Sequence, residues 1–213
     1  MIIDERMVAF IQSLDKGNTP FLTELEKEAI QTDVPIIRPA MQSLMRFLLK
    51  LHRPMRILEV GTAIGFSAIL MAEYGPDHCQ ITTIEKYEKR IPLAKANFEA
   101  SGYADRITLL EGDAADILKE LEEPFDMIFM DAAKAQYIHF MPDVMRLLKP
   151  GGLLVSDNVM QDGEIIESRF AVIRRNRTIH ARMREYLYAL THDDALETVV
   201  LPVGDGVTLS IKK

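Results

Sequence analysis

Apolar residues recur at two different spacings along this chain of 213 residues, and the switch between them divides it. Up to about residue 52 the spacing is helical. Met41, Leu44, Met45 and Leu48 form one such stripe, the signature of a helix packing on a core. Helices are predicted from Asp4 to Leu14, Leu22 to Gln31 and Arg38 to Leu51, with breaks at Gly17-Asn18-Thr19-Pro20 and Val34-Pro35. From Arg56 onward short apolar runs take over: Arg56 to Val60, Gln80 to Ile84, Ile107 to Leu110, Phe125 to Met130 and Gly151 to Ser156. Each is too short for a typical helix, so they read as buried strands of a parallel sheet. A helix from Phe66 to Tyr74 follows the first strand and breaks at Gly75-Pro76. Strand and helix then alternate to about Leu148, which is the pattern of a doubly wound α/β sheet.

The last fifty residues differ. A loop, Met160-Gln161-Asp162-Gly163, precedes an arginine-rich helix running to about Leu190. Two strands follow, Leu196 to Leu201 and Val207 to Ile211, joined by Pro202-Val203-Gly204-Asp205-Gly206, whose glycines suit a hairpin. A single domain over 1–213 is expected, with 1–52 as a helical cover over the sheet edge and a candidate homodimer surface, and 53–213 as the core. The loop Val34-Pro35-Ile36-Ile37 can reach a ligand at that edge. No internal repeat, low-complexity segment or flexible linker interrupts the chain.

An apolar content of 48% fits one sizeable α/β domain. No apolar run reaches eighteen residues, and Met1-Ile2-Ile3-Asp4-Glu5-Arg6 lacks the basic and apolar regions of a signal peptide, so a cytoplasmic location is expected. The single cysteine, Cys79, excludes an intrachain disulfide and a cysteine zinc site. Net charge is −7, yet Ser168 to Arg184 holds six arginines and no acid. That asymmetry points to an anionic partner for the segment, against the blander reading of a solvated helix face.

The chemistry gathers where strands reach their carboxyl ends, the edge at which open α/β sheets bind ligands. The first strand carries Glu59 and runs into Gly61-Thr62-Ala63-Ile64-Gly65, where glycine lets a ligand lie against bare backbone. The second ends in Glu85, placed to accept hydrogen bonds from two ribose hydroxyls. The third ends in Glu111-Gly112-Asp113-Ala114. Acids after three strands describe a pocket for a ligand with a sugar and a positive centre. Two glycines in the turn fall short of the dinucleotide motif G-x-G-x-x-G, and no Tyr-x-x-x-Lys pair is present, which disfavours hydride transfer.

This combination resembles the class I S-adenosylmethionine-dependent methyltransferases. The resemblance implies a Rossmann-like, seven-stranded, mostly parallel sheet of order 3-2-1-4-5-7-6 with an antiparallel carboxyl-terminal hairpin. Downstream, Asp131, Asp157 and Asn158 offer three hard oxygens that suit Mg²⁺, and Lys134 is a candidate general base. The strings Asp131-Ala-Ala-Lys134, Asp157-Asn158 and Glu59-Val-Gly-Thr-Ala-Ile-Gly-Phe-Ser67 are similar to the cation-dependent O-methyltransferases of the catechol and caffeoyl-CoA type. That likeness, over roughly 34–213, implies Asp131, Asp157 and Asn158 as metal ligands and Lys134 as base. It places Ile37, Gly61, Ser67, Glu85, Asp113, Ala114 and Asp131 around S-adenosylmethionine, with Glu59 and Gly65 in the same motif.

Within that family the chain is more closely similar to the bacterial enzymes that methylate 5-hydroxyuridine in tRNA. Val34-Pro35-Ile36, Asp131-Ala-Ala-Lys134-Ala-Gln-Tyr137, the arginine-rich stretch and Pro202 to Gly206 carry the likeness, with Ala135 departing from an expected glycine. It implies tRNA as partner, 5-methoxyuridine as product, and Arg174, Arg175 and Arg177 on phosphates. The alternatives are a small catechol-like or caffeoyl-CoA acceptor, and a non-catalytic RNA-binding protein on a methyltransferase scaffold, which would lack an intact ligand set.

Overall fold

The computed structural model describes residues 4–213; Met1, Ile2 and Ile3, read above for targeting signals, lie outside the described residues. Helices α1 (Glu5–Ser13), α2 (Pro20–Gln31) and α3 (Pro39–His52) come first. Proline opens both α2 and α3, where its missing N–H costs nothing. The core then runs β1 (Arg56–Val60), α4 (Phe66–Tyr74), β2 (Gln80–Glu85), α5 (Ile91–Ser101) and β3 (Ile107–Glu111). It continues with α6 (Ala114–Glu120), β4 (Phe125–Met130), α7 (Tyr137–Leu147) and β5 (Leu148–Asp157), and closes with α8 (Arg177–His192), β6 (Leu196–Leu201) and β7 (Val207–Lys212).

The seven strands lie in the order β3-β2-β1-β4-β5-β7-β6, as expected. The β1–β5 neighbours pair in parallel, and β7 runs antiparallel to both β5 and β6. Alternate residues of each strand feed opposite layers. Ile57, Ile81, Met127, Phe129, Leu153 and Val155 pack against α2, α3 and α4 on one face. Leu58, Val60, Ile84, Ile128, Met130 and Leu154 pack against α6, α7 and α8 on the other.

Two expectations change. The amino-terminal helices do not simply cap the sheet edge: α2 and α3 pack on α4 and join one core layer, because Leu22, Leu25, Met41, Met45 and Leu49 all need burial. Only the linker between them, Pro35 to Arg38, reaches the edge. The arginine-rich stretch is not helical from its start. Residues 167–173 form no helix, Arg174–Asn176 make one 3-10 turn, and α8 begins only at Arg177. Among the described residues no helix is long and apolar enough to cross a membrane.

Candidate active site

The carboxyl ends of β1, β2, β3 and β4 open onto one cavity of about 810 Å³. Its first wall is the turn after β1. Gly61 sits at φ +97, and a Cβ there would lie 2.4 Å from the backbone oxygen of Asp131, so glycine is required on two counts. Gly61 N–H donates to Ile84 O at 3.0 Å, and Asp131 N–H donates to Val60 O at 3.1 Å. The turn is thereby locked between its two neighbours.

Glu85 ends β2 and is held from three sides. One oxygen accepts from Ala63 N at 2.8 Å; the other accepts from Lys86 N at 2.9 Å and Tyr87 N at 2.8 Å. Asp113 caps α6 by accepting from Ala115 N at 2.9 Å and pairs with Lys86 at 3.2 Å. These contacts, the backbone bond foremost, hold its carboxyl below the usual carboxylate range. Ile37, Ser67 and Ala114 also line the cavity.

Two motif residues sit elsewhere. Gly65 faces away, and its missing side chain leaves room for the Phe98 ring, which a Cβ would approach to 2.5 Å. Glu59 is wholly buried beneath the floor, accepting from Thr83 Oγ1 at 2.5 Å. Its other oxygen has no hydrogen-bond partner among the described residues. Burial raises its carboxyl above the ordinary value. Its place is under the turn, where Thr83 on the neighbouring strand holds it.

At the far wall stand Asp131, Lys134 and Asn158. Asn158 takes φ +62, a left-handed conformation that asparagine tolerates well. Its Nδ2 donates to Asp131 Oδ1 at 3.3 Å, and its backbone N–H donates to Asp157 Oδ1 at 2.7 Å. Asp157 lies just behind, 3% exposed and off the cavity wall. The buried Tyr137 hydroxyl bridges the strand ends, at 2.9 Å from Met130 O and 3.2 Å from Asp157 O.

Burial pushes the carboxyls of both Asp131 and Asp157 up to about 7. The charge of Glu59 adds to the first and that of Asp131 to the second, while Lys134 opposes both. Crowded buried acids of this kind are stabilised by a cation. Among the described residues no three His, Cys, Asp or Glu side chains come together as a metal cluster. The candidate set instead has two carboxylates and an amide, a donor set that fits a hard cation completing its shell with water and substrate oxygens.

Lys134 has a fixed neighbour: its Nζ lies 3.2 Å from Asp205 Oδ2. Asp205 comes from the β6–β7 turn, which the sequence marks as a hairpin connector and as part of the family likeness but not as a site residue. The arginines split into two groups. Arg177 donates to Val172 O at 3.0 Å and Phe170 O at 3.3 Å, Arg182 to Ala135 O at 3.3 Å, and Arg184 to Ile165 O at 2.8 Å. These three fasten their own neighbourhood. Arg169, Arg174 and Arg175 are exposed.

A Rossmann-like sheet whose strand ends line one pocket with Glu85, Asp113, Asp131 and Asn158 defines the class of protein. The O-methyltransferase family model matches residues 12–213. A catechol O-methyltransferase of Niastella koreensis is 31% identical over 99% of this chain and 91% of its own. Caffeoyl-CoA O-methyltransferase 1 of Eucalyptus globulus is 33% identical over 78% of this chain and 70% of its own. The crystal structure of an SAH-bound methyltransferase from Podospora anserina superimposes with a TM-score of 0.87 at 30% identity, covering 98% of this chain and 94% of that one. The chain belongs to the O-methyltransferase family and is an O-methyltransferase by that membership.

Proposed function

We propose that this O-methyltransferase uses S-adenosylmethionine and Mg²⁺ to methylate the 5-hydroxyl of 5-hydroxyuridine in tRNA. The observation that carries the reading is one cavity with a fixed acid, Glu85, on one side and Asp131, Lys134 and Asn158 on the other. Glu85 is oriented by Ala63, Lys86 and Tyr87 to receive ribose hydroxyls, and the bare backbone at Gly61 admits the methionine portion. Asp131, Asp157 and Asn158 would hold the cation, which supplies Lewis acidity that favours an ionised acceptor hydroxyl. Lys134 receives the acceptor proton at Nζ as the carbon–sulfur bond of the donor breaks and the carbon–oxygen bond forms. The wall of Ile36, Ile37 and Phe66 helps exclude water.

The choice of tRNA rests on the segment from Asn158 to α8. It leaves the site at Asn158 and returns to it where Arg182 grips Ala135, and it presents Arg169, Arg174 and Arg175 outward. A 5-hydroxyl beside the 4-carbonyl gives the base the same chelating pair of oxygens as a catechol. The names of the two curated relatives favour a second reading, a small catechol or caffeoyl-CoA acceptor. Nucleoside mass spectrometry after incubation with S-adenosylmethionine and hydroxylated tRNA decides: 5-methoxyuridine should appear as 5-hydroxyuridine falls. Turnover of catechol or caffeoyl-CoA with none of tRNA would establish the second reading. The exposed Met7, Phe10 and Ile11 on α1, with Leu14 just after it, support a homodimer, to be read by sedimentation.

A further inference from the structure

Asp205 is a buried acid near the site that the reaction, as described, does not use. It is 2% exposed and off the cavity wall, in the turn between β6 and β7. One side-chain oxygen accepts from the backbone N–H of Asp162, and the other meets Lys134 Nζ at 3.2 Å. Its own carbonyl accepts from Met160 N at 2.9 Å, and Gly206 O accepts from Val159 N at 3.0 Å. Gly206, at φ +83, presses so closely on Met160 that a Cβ would stand 2.2 Å from its Cγ. The hairpin turn is therefore fixed to the loop that leaves Asn158, and Asp205 has little freedom to follow a moving lysine.

The exposure of the pair is one-sided. The Lys134 side chain is 32% exposed and lines the cavity, whereas that of Asp205 is 1% exposed and lies behind it. Among the described residues Lys134 is the one cation within ion-pair distance of Asp205. Other charges face the pair from every neighbouring element: Asp131 and Asp157 from the ends of β4 and β5, and Asp162 with its partner Arg38 across the loop. Arg182 approaches from α8 through Ala135. A proton-accepting side chain facing substrate, backed by a rigid buried carboxylate, is the arrangement by which bases are oriented.

We propose that Asp205 is a positioning residue that holds Lys134 Nζ toward the acceptor and stabilises the ammonium formed when Lys134 takes the acceptor proton. The proposal rests on the reading of Lys134 as the base. The proton moves from the acceptor hydroxyl to Lys134 during methyl transfer and leaves to solvent afterwards.

The test is a kinetic double-mutant cycle with S-adenosylmethionine, Mg²⁺ and either hydroxylated tRNA or catechol as acceptor. Asp205→Asn keeps the volume and an acceptor for the Asp162 N–H but removes the charge. Its kcat should fall about tenfold or more, the scale of one lost charge-assisted hydrogen bond, with KM for S-adenosylmethionine unchanged. In a Lys134→Ala background the same change should cost nothing further. A wild-type kcat in Asp205→Asn, or losses that multiply in the double variant, overturns the proposal while leaving Lys134 as base. A wild-type kcat in Lys134→Ala overturns the base itself, and the proposal with it. Should Asp205→Asn lose its melting transition, Asp205→Ser carries the same cycle.

Discussion

The missing side chain of Gly61 and the backbone carbonyl of Asp131 occupy the same space: a Cβ on the glycine would lie 2.4 Å from that oxygen. The turn after β1 and the residue that follows β4 are thus in direct backbone contact. Gly61→Ala should destabilise the protein by about 1–3 kcal/mol, since it adds both a clash and a positive-φ strain. Thermal melting and calorimetry with S-adenosylmethionine check it; an unchanged melting temperature with intact binding would contradict the close approach.

Glu85→Ala should weaken S-adenosylmethionine binding by about 1–3 kcal/mol, the scale for hydrogen bonds to a charged group. The backbone N–H groups of Ala63, Lys86 and Tyr87 lose their acceptor together, so the turn should loosen as well. Calorimetry measures the first effect and hydrogen exchange at these amides the second.

Asp157→Ala should abolish most activity and leave part of the S-adenosylmethionine affinity, because Asp157 lies off the cavity wall. Full activity in excess chelator would contradict a metal requirement. The carboxyls of Asp131 and Asp157, raised from 3.8 to about 7, add a pH signature. A carboxyl whose folded pKa exceeds its unfolded one favours the fold while protonated. Metal-free stability from this source is therefore full below about pH 4 and lost as pH rises through about 7. Mg²⁺ binds the ionised pair, so its increment in melting temperature should be larger at about pH 8 than at about pH 5. An increment independent of pH would count against these ligands.

Lys134→Arg should keep an ion pair with Asp205 and still lower turnover by about 10²-fold or more, because arginine stays protonated and cannot accept a proton. Normal turnover in this variant, measured with saturating substrates, would remove Lys134 from the role of base.

Arg169, Arg174 and Arg175 should act together on tRNA, and Arg177 should not behave like them. Replacing the first three by alanine should weaken tRNA binding and flatten its dependence on salt, with methylation of a small catechol unaffected. Arg177→Ala should instead lower stability by about 1–2 kcal/mol, since its guanidinium holds the carbonyls of Val172 and Phe170. Filter binding across a salt series separates the two groups; an unchanged salt slope in the triple variant would favour the small acceptor.

The sheet was legible in the chain because each core strand is a short apolar run closed by a polar or glycine punctuation, and such runs have few places to be buried. Glu85, Asp113, Asp131 and Asn158 could be named because the carboxyl ends of parallel strands meet at one edge, so position in sequence implies position in space. Gly65 and Glu59 share the motif but not the cavity wall, because a motif fixes spacing and not the direction in which a residue faces. The pairing of Lys134 with Asp205 crosses 71 residues. The fate of Arg177 turned on which carbonyls its loop left unpaired. Local patterning determined the elements, their order and the acidic edge. Which charges meet across that edge was decided only by tertiary structure, because ion pairs and orphaned carbonyls are satisfied by whatever the packed layers bring near them, and that proximity has no period in the sequence.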